Sequence, residues 1–113
     1  MSVKTERIAN MLIREISDIL QNEVYDEDIK FVTITGCDVT NDLSYAKVYF
    51  TTLKEDKKEE TIEALNKAAN FIELTLAKRV DIRKMPQISF LYDESIAYGE
   101  NIEKKLQEIK DEN

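Results

Sequence analysis

The chain has 113 residues, 42% of them apolar and 35% charged. A chain of this length buries roughly 65% of its unfolded surface, enough for one core without staples, and its apolar content argues against intrinsic disorder. Sixteen Lys and Arg against 23 Asp and Glu give a net charge of −7, which argues against a protein that coats nucleic acid indiscriminately but allows a local basic face.

Cys37 is the sole cysteine and histidine is absent. Intramolecular disulfides, cysteine-based zinc sites, imidazole bases and His-ligated metals are thereby excluded. The opening Met1-Ser2-Val3-Lys4-Thr5-Glu6-Arg7 carries charges where a signal peptide needs an apolar run. No stretch approaches the roughly 18 apolar residues of a membrane span. The expectation is a soluble, cytoplasmic, monomeric protein of one domain over residues 1–113, with no cofactor, no metal and no membrane contact.

Residues 3–24 carry a helical pattern. Ile8, Leu12, Ile16, Ile19 and Leu20 recur at steps of three and four, with Arg7, Arg14, Glu15 and Asp18 largely off that stripe. The acidic cluster Glu23, Asp26, Glu27 and Asp28 reads as a solvated loop. From Phe31 to Thr40 β-branched residues predict a strand, and Gly36 inside it marks a candidate bulge. Asn41-Asp42 supplies a turn. Ala46, Val48 and Phe50 then alternate with Tyr45, Lys47, Tyr49 and Thr51, which predicts a second, half-buried strand and an antiparallel hairpin.

A charged segment, Lys54 to Glu60, leads into a second helix with the stripe Ile62, Leu65, Ala69, Ile72 and Leu76. Asn70 enters the left-handed region more readily than most residues, so a kink or a break into two helices is expected there. After Met85-Pro86, the alternation of Ile88, Phe90 and Tyr92 predicts a third strand. A final amphipathic helix, starting near Ser95 and using Tyr98, Ile102, Leu106 and Ile109, ends in a frayed tail at 110–113. The predicted fold class is α+β: a small three-stranded sheet covered by helices.

This helix-strand-strand-kinked helix-strand-helix order resembles a type II KH domain, although neither glycine lies in a Gly-x-x-Gly loop. Four stretches resemble the ribosome-binding factor A family. They are Arg7-Ile8-Ala9 with Glu15-Ile16; Val32-Thr33-Ile34 with Asp42-Leu43-Ser44-Tyr45-Ala46-Lys47-Val48-Tyr49; Ala64-Leu65 with Ala68-Ala69-Asn70-Phe71-Ile72; and Arg83-Lys84-Met85-Pro86-Gln87-Ile88-Ser89-Phe90 with Asp93-Glu94-Ser95. The resemblance implies a non-enzymatic ribosome biogenesis factor. Such a factor binds the small (30S) subunit at its 16S rRNA and assists late maturation, including processing of the RNA 5′ end. It also implies an Ala-x-Gly helix kink, which here reads Ala68, Ala69 and Asn70, with Glu73 where the family commonly has a basic residue.

The segment 78–84 carries four positive charges and one negative, and residues 1–14 carry Lys4, Arg7 and Arg14 against Glu6. Screening over about 8 Å at physiological salt lets such local clusters act on a phosphate despite distant carboxylates. The candidate RNA-binding residues are Lys4, Arg7, Arg14, Lys47, Lys67, Lys78, Arg79, Arg83 and Lys84. A second reading makes the run 78–84 a helix C-terminus whose cations complement the macrodipole. Tyr45 and Tyr49 share a strand face that either stacks on bases or is covered by a helix. Cys37 reads as a small packed hydrophobe, Asp38 and Asp42 as turn or loop residues, and Asp93 and Ser95 as helix caps. The rival function is a protein–protein adaptor of the same fold, using acidic surfaces and no RNA.

Overall fold

The unbroken helix-forming run at the start of the chain winds into α1 (Val3–Asn22). In this computed structural model, residues 3–94 are described. The predicted final helix and tail, including Ser95, Tyr98, Ile102, Leu106 and Ile109, lie outside the described residues. Leu12, Ile16 and Ile19 of α1 are removed from solvent entirely, as their spacing requires.

The chain then forms β1 (Val32–Val39) and β2 (Tyr45–Thr52), a short 3-10 turn at Glu55–Lys57, α2 (Lys58–Arg79) and β3 (Gln87–Tyr92). The sheet order is β1-β2-β3. β1 and β2 pair antiparallel, whereas β2 and β3 pair parallel, so the chain must cross over between them, and α2 is that crossover. The architecture is α+β and KH-like, with the sheet covered on one face by α1 and α2.

The expected bulge is present. Ile34 pairs with Phe50 and Gly36 with Tyr49, so Thr35 is the extra residue. Its hydroxyl donates to the Asp93 carboxylate at 2.6 Å, reaching across β2 to the chain beyond β3. Ala46, Val48 and Phe50 point into the core with Ile88 and Phe90 of β3, as the alternation predicts. Phe50 meets Tyr92 edge to face at 5.7 Å between ring centroids. Full burial contributes about 1.5–3 kcal/mol per large apolar side chain, so Phe50, Leu12, Ile16, Leu65, Ile72 and Leu76, all solvent-free, dominate stability. Cys37 is buried and its thiol is pushed up to about 11, chiefly by desolvation. It is a packed hydrophobe.

Of the kink or break expected at Ala68, Ala69 and Asn70, the break into two helices does not occur. α2 runs through them without interruption, and Leu43 is the one non-glycine residue with positive φ among the described residues. Helical Asn costs only a few tenths of a kcal/mol relative to good formers, too little to break a helix that core packing holds together. Leu65 on one side and Ile72 and Leu76 on the other are all fully buried, and a continuous helix keeps them on one face.

α2 also protects the sheet edge it crosses. Glu73 accepts from the Ile88 amide at 2.8 Å, and Asn66 accepts from the Phe90 amide at 3.4 Å. These outward-pointing amides of an edge strand would otherwise be open to pairing with another chain. Glu73 thus has a structural role where the resemblance implies a basic residue.

Candidate nucleic-acid interface

The two basic segments, distant in sequence, meet at the first turns of α1. Lys4 and Arg7, separated by three residues, lie on one side of that helix. After α2 ends at Arg79, the chain turns extended at Val80 and runs back along α1. Ile82 and Arg83 thereby come to face Lys4, Arg7 and Ile8 across a cavity of about 420 Å³. Leu43 from the β1–β2 turn also lines it. Lys4, Arg7 and Arg83 are exposed, and no ion pair within 4 Å ties them to a carboxylate among the described residues. Arg14, seven residues beyond Arg7 and also exposed, continues the same side of α1.

This placement works against helix stability. Cations near a helix N-terminus oppose the macrodipole at about 0.3–1 kcal/mol each, and α1 has no basic residue in its last turn. Lys4 and Arg7 thus sit at the end where cations cost stability, offset in part by Glu6 in the same first turn.

The turn beneath the patch is rigid. Thr40 Oγ donates to Asp42 at 2.8 Å, and Asp42 and Thr40 accept from the Ser44 amide at 3.0 and 3.1 Å. These bonds, led by the Thr40 hydroxyl, hold the Asp42 carboxyl down at about 2. Asp42 is thus a turn residue, as expected. Leu43 sits between them at φ 60°, 5% exposed. Lys84 donates to Ser44 Oγ at 3.0 Å, which ties the second basic segment to this turn.

The other predicted contacts are not brought to this patch. Arg79 is engaged elsewhere: its guanidinium donates to Glu15 at 3.3 Å, Asp18 at 2.6 Å and Glu23 at 2.7 Å. With three carboxylates around it, it is not free for phosphate. Here the helix C-terminus reading of the run holds for Lys78 and Arg79, which lie in the last turn of α2. Lys78 is exposed and does not line the cavity. Lys67 pairs with Glu63 at 3.2 Å along α2 and borders the separate α2–β3 groove with Ala69 and Asn70. Lys47 projects from the sheet face that α1 and α2 leave uncovered, in register with Asp38 and Ser89. Tyr45 and Tyr49 occupy that same face.

Residues that carry the cavity walls, Ile8, Leu43, Asp81 and Ile82, were not among the sequence candidates. The Ile8 and Leu43 positions read as core or turn, and only their approach to the basic segments gives them a place in the site. Among the described residues there is no group of three potential metal ligands and no helix long and apolar enough to cross a membrane.

The family model for ribosome-binding factor A matches residues 4–106. The chain belongs to the ribosome-binding factor A family. It is 45% identical to ribosome-binding factor A of Staphylococcus epidermidis over 109 residues, covering 96% of this chain and 94% of that one. The crystal structure of ribosome-binding factor A from Thermus thermophilus superposes with a TM-score of 0.72 at 25% identity, covering 78% of this chain and 93% of that one. A homology model of the Thermus thermophilus factor, fitted into the cryo-EM map of a 30S complex with that factor, superposes with a TM-score of 0.66 at 23% identity, covering 80% and 96%. The family's fold is thus the fold of this chain, and the basic patch lies within the matched residues.

Proposed function

We propose that this member of the ribosome-binding factor A family binds the small (30S) ribosomal subunit through its 16S rRNA, as a cytoplasmic monomer. There it assists late maturation, including processing of the rRNA 5′ end, without catalysing a reaction itself. The observation that carries the reading is the convergence of Lys4 and Arg7 with Arg83 around one cavity, from segments more than 70 residues apart. Lys84 and Arg14 extend the patch. The work is differential binding: a factor that holds one arrangement of the RNA more tightly than another shifts the balance between them by that difference. Family membership supports the ribosomal target, and cations without an ion pair among the described residues support RNA as the attachment point.

The adaptor reading has one observation of its own. A groove of about 770 Å³ between the end of α1 and β1 is lined by Leu20, Val24, Ile29 and Ile34, with Asp26 and Glu27 against the single cation Lys30. Such a groove suits a basic protein segment.

Gradient sedimentation of cell extract tests the main reading. The protein should travel with free small subunits and not with translating ribosomes, and Arg83→Glu should move it to the top of the gradient while the fold is retained. Retained association of that variant would favour the adaptor.

A further inference from the structure

The cationic patch does more than present charge, because part of its lining is apolar. Buried Leu43 and half-buried Ile8 and Ile82 line the 420 Å³ cavity together with the exposed Lys4, Arg7 and Arg83. A purely phosphate-binding surface has no use for such an apolar lining. A nucleobase turned out of its stack does: its ring buries against apolar side chains while its flanking phosphates meet the cations.

One wall of the cavity is acidic. Asp81 lines it beside Ile82 and is exposed, with no ion pair within 4 Å to a cation among the described residues. A carboxylate on a phosphate-binding surface repels the backbone, so its place in this patch calls for a ligand with donors. The two carboxylate oxygens accept a pair of parallel N–H donors. Guanine alone among the four bases offers two adjacent donors, N1–H and N2–H₂, on its Watson–Crick edge. Adenine and cytosine each place an acceptor beside their amino group, and uracil flanks its single N–H with two carbonyls.

The walls are also preorganised. The turn that carries Leu43 is closed by Thr40, Asp42 and Ser44, and Lys84 binds that turn at Ser44 Oγ, 3.0 Å away. Little ordering therefore remains to be done when a base enters.

Resting on the RNA reading above, we infer that the cavity between the first turns of α1 and residues 81–83 is a subsite for one unstacked guanine of single-stranded RNA, read by Asp81, with Lys4, Arg7 and Arg83 on the flanking phosphates.

The test uses the full chain and four labelled hexanucleotides of uridine, carrying guanosine, inosine, adenosine or uridine at the third position, followed by fluorescence anisotropy at low salt. The guanosine oligomer should bind about tenfold more tightly than the adenosine and uridine ones, the scale of a good bidentate contact. Inosine, lacking N2–H₂, should lose most of that preference. Asp81→Asn should abolish the preference for guanosine while the dependence of binding on salt stays as in the wild type. Equal affinity for all four, or a guanosine preference that survives Asp81→Asn, overturns the subsite and leaves the cationic docking standing. Failure to bind any of the four also overturns it, and the docking reading is then judged separately by whether Arg83→Glu releases the protein from small subunits.

Discussion

Arg79 and Asp18 meet at 2.6 Å, joining the last turn of α2 to the outer side of α1. Glu15 and Glu23 complete the clasp around the guanidinium. The hydrogen bond from Arg79 holds the Asp18 carboxyl below its usual range, and the three carboxylates, Asp18 foremost, raise the guanidinium further. The clasp sets where the chain leaves α2, and so where Ile82 and Arg83 fall against α1.

Substitution of Arg79 should therefore act on stability and on the position of residues 80–84. Arg79→Glu gathers four carboxylates and should lower the urea midpoint with an unchanged slope. Leu65→Ala in the fully buried core should lower it more, with a loss of about 2–5 kcal/mol in unfolding free energy. Arg79→Lys should recover only part of the loss, since an ammonium lacks the planar fork that reaches several carboxylates at once. Denaturation curves of the three variants check the order.

Acid should loosen the β1–β2 turn. The Asp42 carboxyl lies near 2 in the folded chain against an ordinary 3.8. Its folded value is the lower one, so its stabilisation is complete above about 4 and is lost as pH falls toward 2. Asp18, lowered by Arg79, has the same sign. Asp42→Asn should flatten the fall in melting temperature between pH 4 and 2, and a wild-type slope in that variant would contradict this.

Removal of the Glu73 carboxylate should expose the edge of β3. In Glu73→Ala the Ile88 amide loses its acceptor at 2.8 Å and should exchange faster with solvent deuterium. Glu73→Gln keeps an acceptor oxygen and should exchange near the wild-type rate. Exchange at Phe90, bonded to Asn66, should change little in either.

Leu43 sets burial against backbone strain. Glycine at this position would release about 1–2 kcal/mol of left-handed strain, yet forfeits the burial of a leucine, about 1.5–3 kcal/mol before any cavity cost. Leu43→Gly should therefore be destabilised, by about 1 kcal/mol, and should bind RNA more weakly through a wider cavity. A thermal melt and a titration of the variant check both.

Most of the fold was legible because period and burial agree. The strand alternation of Ala46, Val48 and Phe50 and the helical stripe from Leu12 to Ile19 each match the buried residues, and Gly36 marked the bulge at Thr35. Asn70 does not break α2, because its tolerance of positive φ is a local preference that the core contacts of Ile72 and Leu76 override. In the site, charge density along the chain identified both basic segments but could not separate members within them. Arg79 and Arg83 look alike in sequence, and only the packing of Glu15, Asp18 and Glu23 around Arg79 distinguishes it from Arg83, which has no ion pair among the described residues. Ile8, Leu43 and Ile82 carry no chemical signal of their own, so a cavity built from three elements is invisible until they are packed.

The convergence of cations on one exposed patch is tested most directly by binding of purified small subunits to the wild type and to Arg7→Glu/Arg83→Glu across a salt series. Four phosphate contacts, from Lys4, Arg7, Arg83 and Lys84, give a slope of log K against log salt of about −3. With each charge-assisted contact worth about 1.5–3 kcal/mol, the double variant should bind at least tenfold more weakly, with a shallower slope and a melting temperature no lower than that of the wild type. Equal affinity and equal slope in the two proteins would contradict the account.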